Sequence, residues 1–320
     1  MAAQRAPLSG GRWHFQHGPM DIVIGAEGRA DAVAAAHEAA WQRFVPLLGE
    51  LVAELPLLRA PVAAGARPAH CPLHGAVARR MWLACAPHSA AFITPMAAVA
   101  GAVAQALIPS YAREGVQRAW VNNGGDIALH LAPGAQVRVG LYADLARLAP
   151  EELQGRVQVD GHFDVTHAMP VRGVATSGWR GRSFSLGIAD SVTVLAATAA
   201  EADAAASIIA NAVDLPDAAA LGVRRLPACD LKDDSDLGTL PVTVDVPPLP
   251  PARVQVALAA GLRRAEALRA VGLIAAAALA CQGRLVVTHG LGSPGRRGAL
   301  PEAGAGAEAE METKIGSVFA

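Results

Sequence analysis

Three segments of this chain hold the residues whose types and spacing could do chemistry: VNNGGDIAL (121–129), GVATSGWRGRSFSLG (173–187) and SVTVLAATAAEADAAASIIANAV (191–213). In the first, Asn122, Asn123, Gly124, Gly125 and Asp126 lie between two strand-like runs. Asn-Gly in that setting signals a tight hairpin, but a second Asn, a second Gly and an Asp exceed what a two-residue turn needs. Glycines admit an anion to backbone N–H groups, and Asn side chains can read a ring edge or a ribose. Taken alone, the segment serves equally as a turn or as a ligand loop.

In the second segment, Thr176, Ser177 and Gly178 precede Trp179, Arg180, Gly181 and Arg182, with Arg172 just before. Hydroxyls and guanidinium forks beside flexible backbone suit a phosphate or carboxylate. The alternative is a solvated hairpin with ordinary surface arginines. The third segment reads as a strand and then a helix opened by Thr198 and Glu201, the spacing of a capping box. On that helix Asp203 and Ser207 are four residues apart and share a face, with Cβ atoms about 5–6 Å apart. A carboxylate and a hydroxyl are hard oxygen donors of the kind Mg²⁺ accepts, though such a pair also serves as a plain solvated face. Asp160, His162 and Asp164 alternate along a strand-like run, with His167 soon after, giving either a metal or acid–base patch or the wet face of a strand. Cys71 with His74, and His17 before Gly18-Pro19, are weaker signals.

The elements that must position these groups follow from pattern and punctuation. MDIVIG (20–25) reads as a strand, and Asp31 as the N-cap of a helix through Trp41 and Phe44. The Pro- and Gly-rich stretch 60–74 reads as a loop, followed by a helix over about 75–86. Thr94-Pro95 suits the N-cap and first position of a helix from Met96 to Ile108. Short β-rich runs follow at 119–122, 127–131, 136–142, 156–165 and 171–176, with another at 191–197 and the last clear strand at 240–246. Pro250-Pro251 opens a helix over 252–270, with a second Ala-rich stretch after Gly272 running to Cys281. The tail from about Gly290 lacks apolar periodicity and is expected to be disordered, as residues 1–11 are expected to be flexible.

Composition bounds the rest. With 52% hydrophobic but only 4% aromatic residues among 320, the core must be built from Ala, Val and Leu, which implies closely packed helices. The 27 basic and 28 acidic residues leave a net charge of −1, so no global field favours nucleic acid or an anionic membrane. The four cysteines form no Cys-x-x-Cys pair, which indicates free thiols. The early Arg residues are followed by no apolar run, and the uncharged run 89–108 is broken by Pro95, Gly101 and Gln105; a cytoplasmic protein is expected. Flat Ala-rich helices would also suit a homodimer.

Taken in order, the three segments resemble the ApbE superfamily, whose best-known members are FAD:protein FMN transferases. Those enzymes carry a strand and an Asn-x-Gly-Gly-Asp/Asn turn, a later Thr-Ser-Gly, a Ser-Val-Thr-Val strand, and a helix with Ala-Asp and a Thr four residues after the Asp. The matching residues are Asn122 to Asp126, Thr176-Ser177-Gly178, Ser191 to Val194, and Ala202-Asp203 with Ser207 in the Thr position. The chain is most similar to a cytoplasmic ApbE-related subfamily, from His17-Gly18-Pro19 through FITPMAAVAGAVA (92–104) to the final Ala-rich helices, a span of roughly 12–285.

The resemblance implies an α+β fold of ApbE type, with an antiparallel sheet, long Ala-rich helices and a cleft between two interleaved lobes. It implies a small-molecule ligand of flavin, pterin or similar heteroaromatic anionic type, with FAD or another flavin and Mg²⁺ as the cofactors to expect. Asp203 and Ser207 would hold the metal. Asn122, Asn123, Gly124, Gly125 and Asp126 would position the ligand, and Thr176, Ser177, Gly178 and Arg182 would contact its anionic part. The transferases also carry a His-Ile-x-Asp-Pro-x-Thr-Gly segment between the Ser-Gly turn and the Ser-Val-Thr-Val strand. Here that interval, Trp179 to Asp190, contains no His. The resemblance therefore stops short of FMN transfer itself, and Asp190 is the nearest acid or base. The other function it allows is a non-catalytic protein that binds or delivers a flavin or related cofactor, in homocysteine or methanopterin-type metabolism.

Overall fold

A computed structural model describes residues 2–141 and 161–289. The chain begins with β1 (Gln4–Pro7), β2 (Trp13–His17) and β3 (Met20–Gly28), then runs through α1 (Ala30–Ala53), α2 (Leu55–Leu58), α3 (Ala76–Cys85) and α4 (Val99–Leu107). It returns as β4 (Val116–Asn123) and β5 (Asp126–Leu131), forms β6 (Gln136–Leu141) and β7 (Gly161–Thr166), and continues with β8 (Gly173–Ser177), β9 (Ser191–Ala196) and α5 (Ala199–Ala212). The last elements are β10 (Arg224–Pro227), α6 (Ala228–Leu231), β11 (Pro241–Asp245), α7 (Pro251–Ala270), β12 (Ala276–Cys281) and β13 (Arg284–Val287).

Nine strands form one sheet in the order β1-β2-β3-β4-β5-β8-β9-β12-β13, with every neighbouring pair antiparallel. The fold is α+β, with helices gathered on one face. Side chains alternate across that sheet. Ala119, Val121 and Ala128 face a core shared with α1, α3 and α4, while Val192, Val194, Ala277 and Leu279 face a second core with α7. Trp120, Ile127, Leu129, Leu195 and Ala278 point the other way, into a third cluster beneath the β6–β7 pair. Both faces of the central strands are thus buried.

Helix α5 joins the two helix-side cores. Ala199, Ala200, Ala204 and Ile208 belong to the first, whereas Ala202, Ala205, Ala206, Ile209 and Ala210 belong to the second. At ~100° per residue these two sets cover opposite flanks, and Asp203 and Ser207 fall in the gap between them. Of the expected capping box, the Thr198 half forms at its start. The Thr198 hydroxyl accepts from the Glu201 N–H at 3.3 Å, and it donates in turn to the Glu201 carboxylate at 2.9 Å.

Several expectations are corrected. Ala276–Cys281, read as a continuation of Ala-rich helix, is the strand β12, and a further strand β13 follows the expected last one. Alanine's helix preference amounts to less than about 1 kcal/mol per residue against most alternatives, and pairing with β9 under two packed faces overrides it. The helix expected from Met96 to Ile108 is instead a 3-10 turn, Pro95–Ala98, then a break at Ala98 (φ −125°, ψ 14°), then α4. Helix α1 begins at Ala30, so Asp31 lies in its first turn, bonded to Arg29, and is not its cap. Gln4–Pro7, within the segment expected to be flexible, is the edge strand β1. The expected disordered tail from 290, along with Asp160, lies outside the described residues.

Candidate functional site

The three motif segments meet at one end of the sheet, where β4 and β8 finish and β5 and β9 begin. Antiparallel pairing alone brings them there. The β4–β5 hairpin closes with Asn123 opposite Asp126, so its two-residue loop is Gly124-Gly125 rather than Asn-Gly. Both loop residues have positive φ, 68° and 110°, which glycine alone adopts without strain.

The pleat then divides the predicted residues between two faces. Asn123 and Asp126 lie on the helix face with Val121 and Ala128. The Asn123 side-chain amide donates to the Ala100 carbonyl at 3.2 Å, at the start of α4. Asn122 lies on the opposite face with Trp120 and Ile127, where its side-chain oxygen accepts the Gly125 N–H at 2.8 Å. It shapes the turn and does not face the helices. Thr176 is divided in the same way. Its backbone N–H donates to Asp126 at 3.2 Å, while its hydroxyl lies against that of Thr193 at 3.0 Å on the β6–β7 side. Ser177, the next residue, takes the helix-side parity of Ala175.

On the helix side, Asp203 of α5 accepts the Gly101 N–H at 2.9 Å and is also bonded by the Ala100 N–H. Asp203 thereby caps a helix on which it does not lie, α4. Close approach of α4 and α5 makes this possible: a Cβ on Gly101 would stand 2.2 Å from the Ala199 carbonyl oxygen. Asp126 and Asp203 face one another closely enough to interact. Burial pushes the Asp203 carboxyl up to about 7, against the opposing pull of those two N–H groups. Burial also pushes Asp126 well above the usual carboxylate range, and the charge of Asp203 adds to that shift. Ser207 lies one turn further along α5, half-buried.

The arginine cluster separates on inspection. Arg172 donates to the carbonyls of His167, Met169 and Val171, so it braces a loop and is withdrawn from ligand duty. Arg180 lies over the Trp179 ring at 4.9 Å and 3.8 Å from Asp190. Arg182 is exposed, with no hydrogen bond or ion pair among the described residues, and its guanidinium comes within 3.6 Å of where a Gly124 Cβ would stand. A Gly-Gly turn with an uncommitted guanidinium beside it is a place for an anion.

Asp190 stands directly before β9. It is buried, accepting from the Trp179 indole at 3.3 Å and from the Gln282 N–H, with Arg180 alongside. Its own N–H bonds the Ala280 carbonyl at 3.0 Å, so it stands between β9 and β12. From β5 that is two or three strand spacings, roughly 10 Å or more. With both carboxylate oxygens engaged, Asp190 anchors the Trp179 loop to β12. Asp164 pairs with exposed Arg138 at 2.9 Å, the wet-face alternative. Among the described residues no three His, Cys, Asp or Glu side chains gather as a metal cluster.

Residues outside the three motif segments also meet near Asp203, and of these Asp236 carried no signal in the sequence. Thr94, expected as an N-cap, makes no cap bond; its hydroxyl donates instead to Asp236, 142 positions away. The carbonyl of Thr94 accepts from the buried Cys85 thiol at 3.3 Å. That thiol is pushed up by burial and then by the charges of Asp203 and Asp236, which both face it.

The family model described as AbpE bacteria matches residues 4–287. The chain belongs to that family. The ApbE-related reading of the motif segments thus holds over nearly all of the described chain. The UPF0280 protein of Methanothermobacter thermautotrophicus is 41% identical over 126 residues, which cover 39% of this chain and 44% of that one. The UPF0280 protein of Methanospirillum hungatei is 37% identical over 130 residues, 40% of this chain and 49% of that one. The chain spans about half the length of these relatives. With the UPF0280 protein of Methanothrix thermoacetophila the identity is 34% over 181 residues, 53% of this chain and 68% of the relative. Among solved structures, the apo form of Pseudomonas stutzeri flavinyl transferase ApbE is matched over 90% of this chain and 94% of that one, with 13% identity and a TM-score of 0.35. Among the described residues no helix is long and apolar enough to cross a membrane.

Proposed function

We propose that the helix-side end of the sheet binds a small heteroaromatic anion of flavin or pterin type. The observation that carries this reading is the Asp126–Asp203 pair, set beside the Gly124-Gly125 turn and the uncommitted Arg182. A buried carboxylate, Asp126, and a half-buried one, Asp203, that repel one another are poor scaffolding, since apolar residues of similar volume would pack there more favourably. A positive partner relieves that repulsion.

Mg²⁺ fits the donor set. The ion takes hard oxygens, and one or two carboxylates suffice when water and a ligand phosphate complete its shell. Asp203 and Ser207 would hold it, with Asp126 across the gap. When bound, the ion would neutralise charge on a ligand phosphate. Asn123 and Ser177 would orient the ligand from the sheet, Gly124 and Gly125 would offer N–H groups, and Arg182 would close on the anion. Asn122 and Thr176 support this surface from behind.

FMN transfer is not the reaction we assign. The Trp179–Asp190 interval lacks the transferase histidine, and Asp190 is engaged elsewhere. That same observation favours a second reading, in which the protein binds or delivers a flavin-like cofactor without turnover. The methanogen sources of the relatives suit a one-carbon or sulfur setting for either, and a cytoplasmic location.

Thermal-shift titration with FMN, FAD and a pterin, each with and without Mg²⁺, tests the ligand class, alongside mass spectrometry of whatever co-purifies. A ligand at a hundred times its Kd stabilises by about 2.7 kcal/mol, a shift easily read. AMP release from FAD would identify retained flavin chemistry, and stoichiometric binding without product would identify the carrier. No shift with any of them, and no co-purifying heteroaromatic compound, would overturn the assignment.

A further inference from the structure

The first turn of α4 is not held by helix continuity. The chain leaves the Pro95–Ala98 turn through the break at Ala98, and α4 starts afresh at Val99. Side chains from other segments locate that start. Asn123 takes the Ala100 carbonyl, and Asp203 takes the Ala100 and Gly101 N–H groups. Upstream of the break, the third tether is Asp236, which accepts the Thr94 hydroxyl.

Asp236 comes from a compact loop whose ends are fastened together, Ala228 N–H to the Leu240 carbonyl at 3.0 Å and Cys229 N–H to the Gly238 carbonyl at 2.8 Å. Within it, Ser235 N–H bonds the Lys232 carbonyl and Gly238 N–H the Ser235 carbonyl. A loop closed in this way presents its side chains from a firm base. It also reaches the site's own support, since Asp236 holds Thr94, which opens the turn leading into α4, where Asp203 takes the Gly101 N–H. Thr94 is gripped from two sides, by that thiol at its carbonyl and by Asp236 at its hydroxyl.

We propose that Asp236 is a positioning residue for Asp203, acting through Thr94: it fixes the entry turn of α4 and so keeps the Gly101 N–H on the Asp203 carboxylate. The proposal rests on the reading of Asp203 as a site residue. It makes the 228–240 loop part of the site's support, where sequence alone shows only an acidic stretch, Asp233-Asp234-Ser235-Asp236.

The test needs no ligand, so it stands apart from the ligand assignment. Amide hydrogen exchange is followed by NMR at Gly101 and at Ala277 and Ala280 in the core strand β12, for the wild type, Asp236→Ala, Thr94→Val, the double variant and Thr94→Ser. Loss of one anchoring hydrogen bond should speed exchange at Gly101 by about tenfold in either single variant. The β12 amides should keep their rates, the double variant should be no faster than the singles, and Thr94→Ser, which retains the hydroxyl, should match the wild type. An unchanged Gly101 rate, or acceleration of Gly101 in step with Ala277 and Ala280, would overturn the proposal. If Thr94→Val does not fold, Asp236→Ala and Asp236→Asn give the same contrast, the Asn oxygen still accepting the Thr94 hydroxyl. Faster exchange at Gly101 in a protein that ignores flavins and pterins would leave the positioning role standing and the ligand class refuted.

Discussion

At the scale of single residues, Gly101 and Asp203 set the terms of the site. Gly101→Ala would ordinarily strengthen a helix by about 1 kcal/mol. Here its Cβ would meet the Ala199 carbonyl and the Asp203 Cβ, at 2.2 and 2.9 Å, so α4 must retreat from α5. We expect a net loss of about 1–3 kcal/mol, measured by urea denaturation. Asp203 gives the opposite sign. Its folded pKa, about 7, stands above the usual carboxylate value, so the fold favours the protonated form. That contribution is complete below about pH 4 and disappears as pH rises through about 7, leaving an unrelieved charge above it. Asp203→Asn keeps an acceptor for the Gly101 N–H and removes the charge. Its melting temperature should exceed that of the wild type by more at about pH 8.5 than at about pH 5. A difference independent of pH would show that the pair is not strained by charge.

At the scale of elements, α5 depends on its cap. Thr198→Ala removes the acceptor for the Glu201 N–H and should cost about 1 kcal/mol by denaturant titration. This helix start was legible because a capping box is a local device, written within four residues. The hairpin strands were legible too, since period-2 runs ended by Gly, Pro or Asp need no distant information. Two things were not. The strand β12 consists of alanines at four of its six positions, a composition that favours helix until β9 and two covering layers are present. Which face each motif residue takes was also hidden. Asn122 and Asn123 are alike in type, and only the register that pairs Asn123 with Asp126 sends one to the helices and its neighbour away from them. Asp236 left no trace at all, because its partner Thr94 is 142 residues distant.

At the scale of the whole molecule, the nine-stranded sheet is continuous and α5 contributes to both helix-side cores. Neither core can lose its packing without freeing α5, whose other flank serves the second core. Unfolding in urea should therefore be a single transition, with tryptophan fluorescence and far-UV circular dichroism superimposing. Two separated transitions would show that the lobes fold independently and that α5 is a hinge between them.

The seam on α5 has an evolutionary meaning as well. Its alanines answer to the packing of two cores and tolerate little change in volume, whereas Asp203 and Ser207 lie between those demands and, on the proposed reading, answer to the ligand. Of the two, Asp203 also holds the start of α4, whereas replacement at Ser207 should leave the fold's stability nearly untouched; Ser207→Thr should shift it by no more than about 0.5 kcal/mol. On the proposed reading, a chain carrying this helix could exchange its ligand by altering a few seam residues without repacking either core.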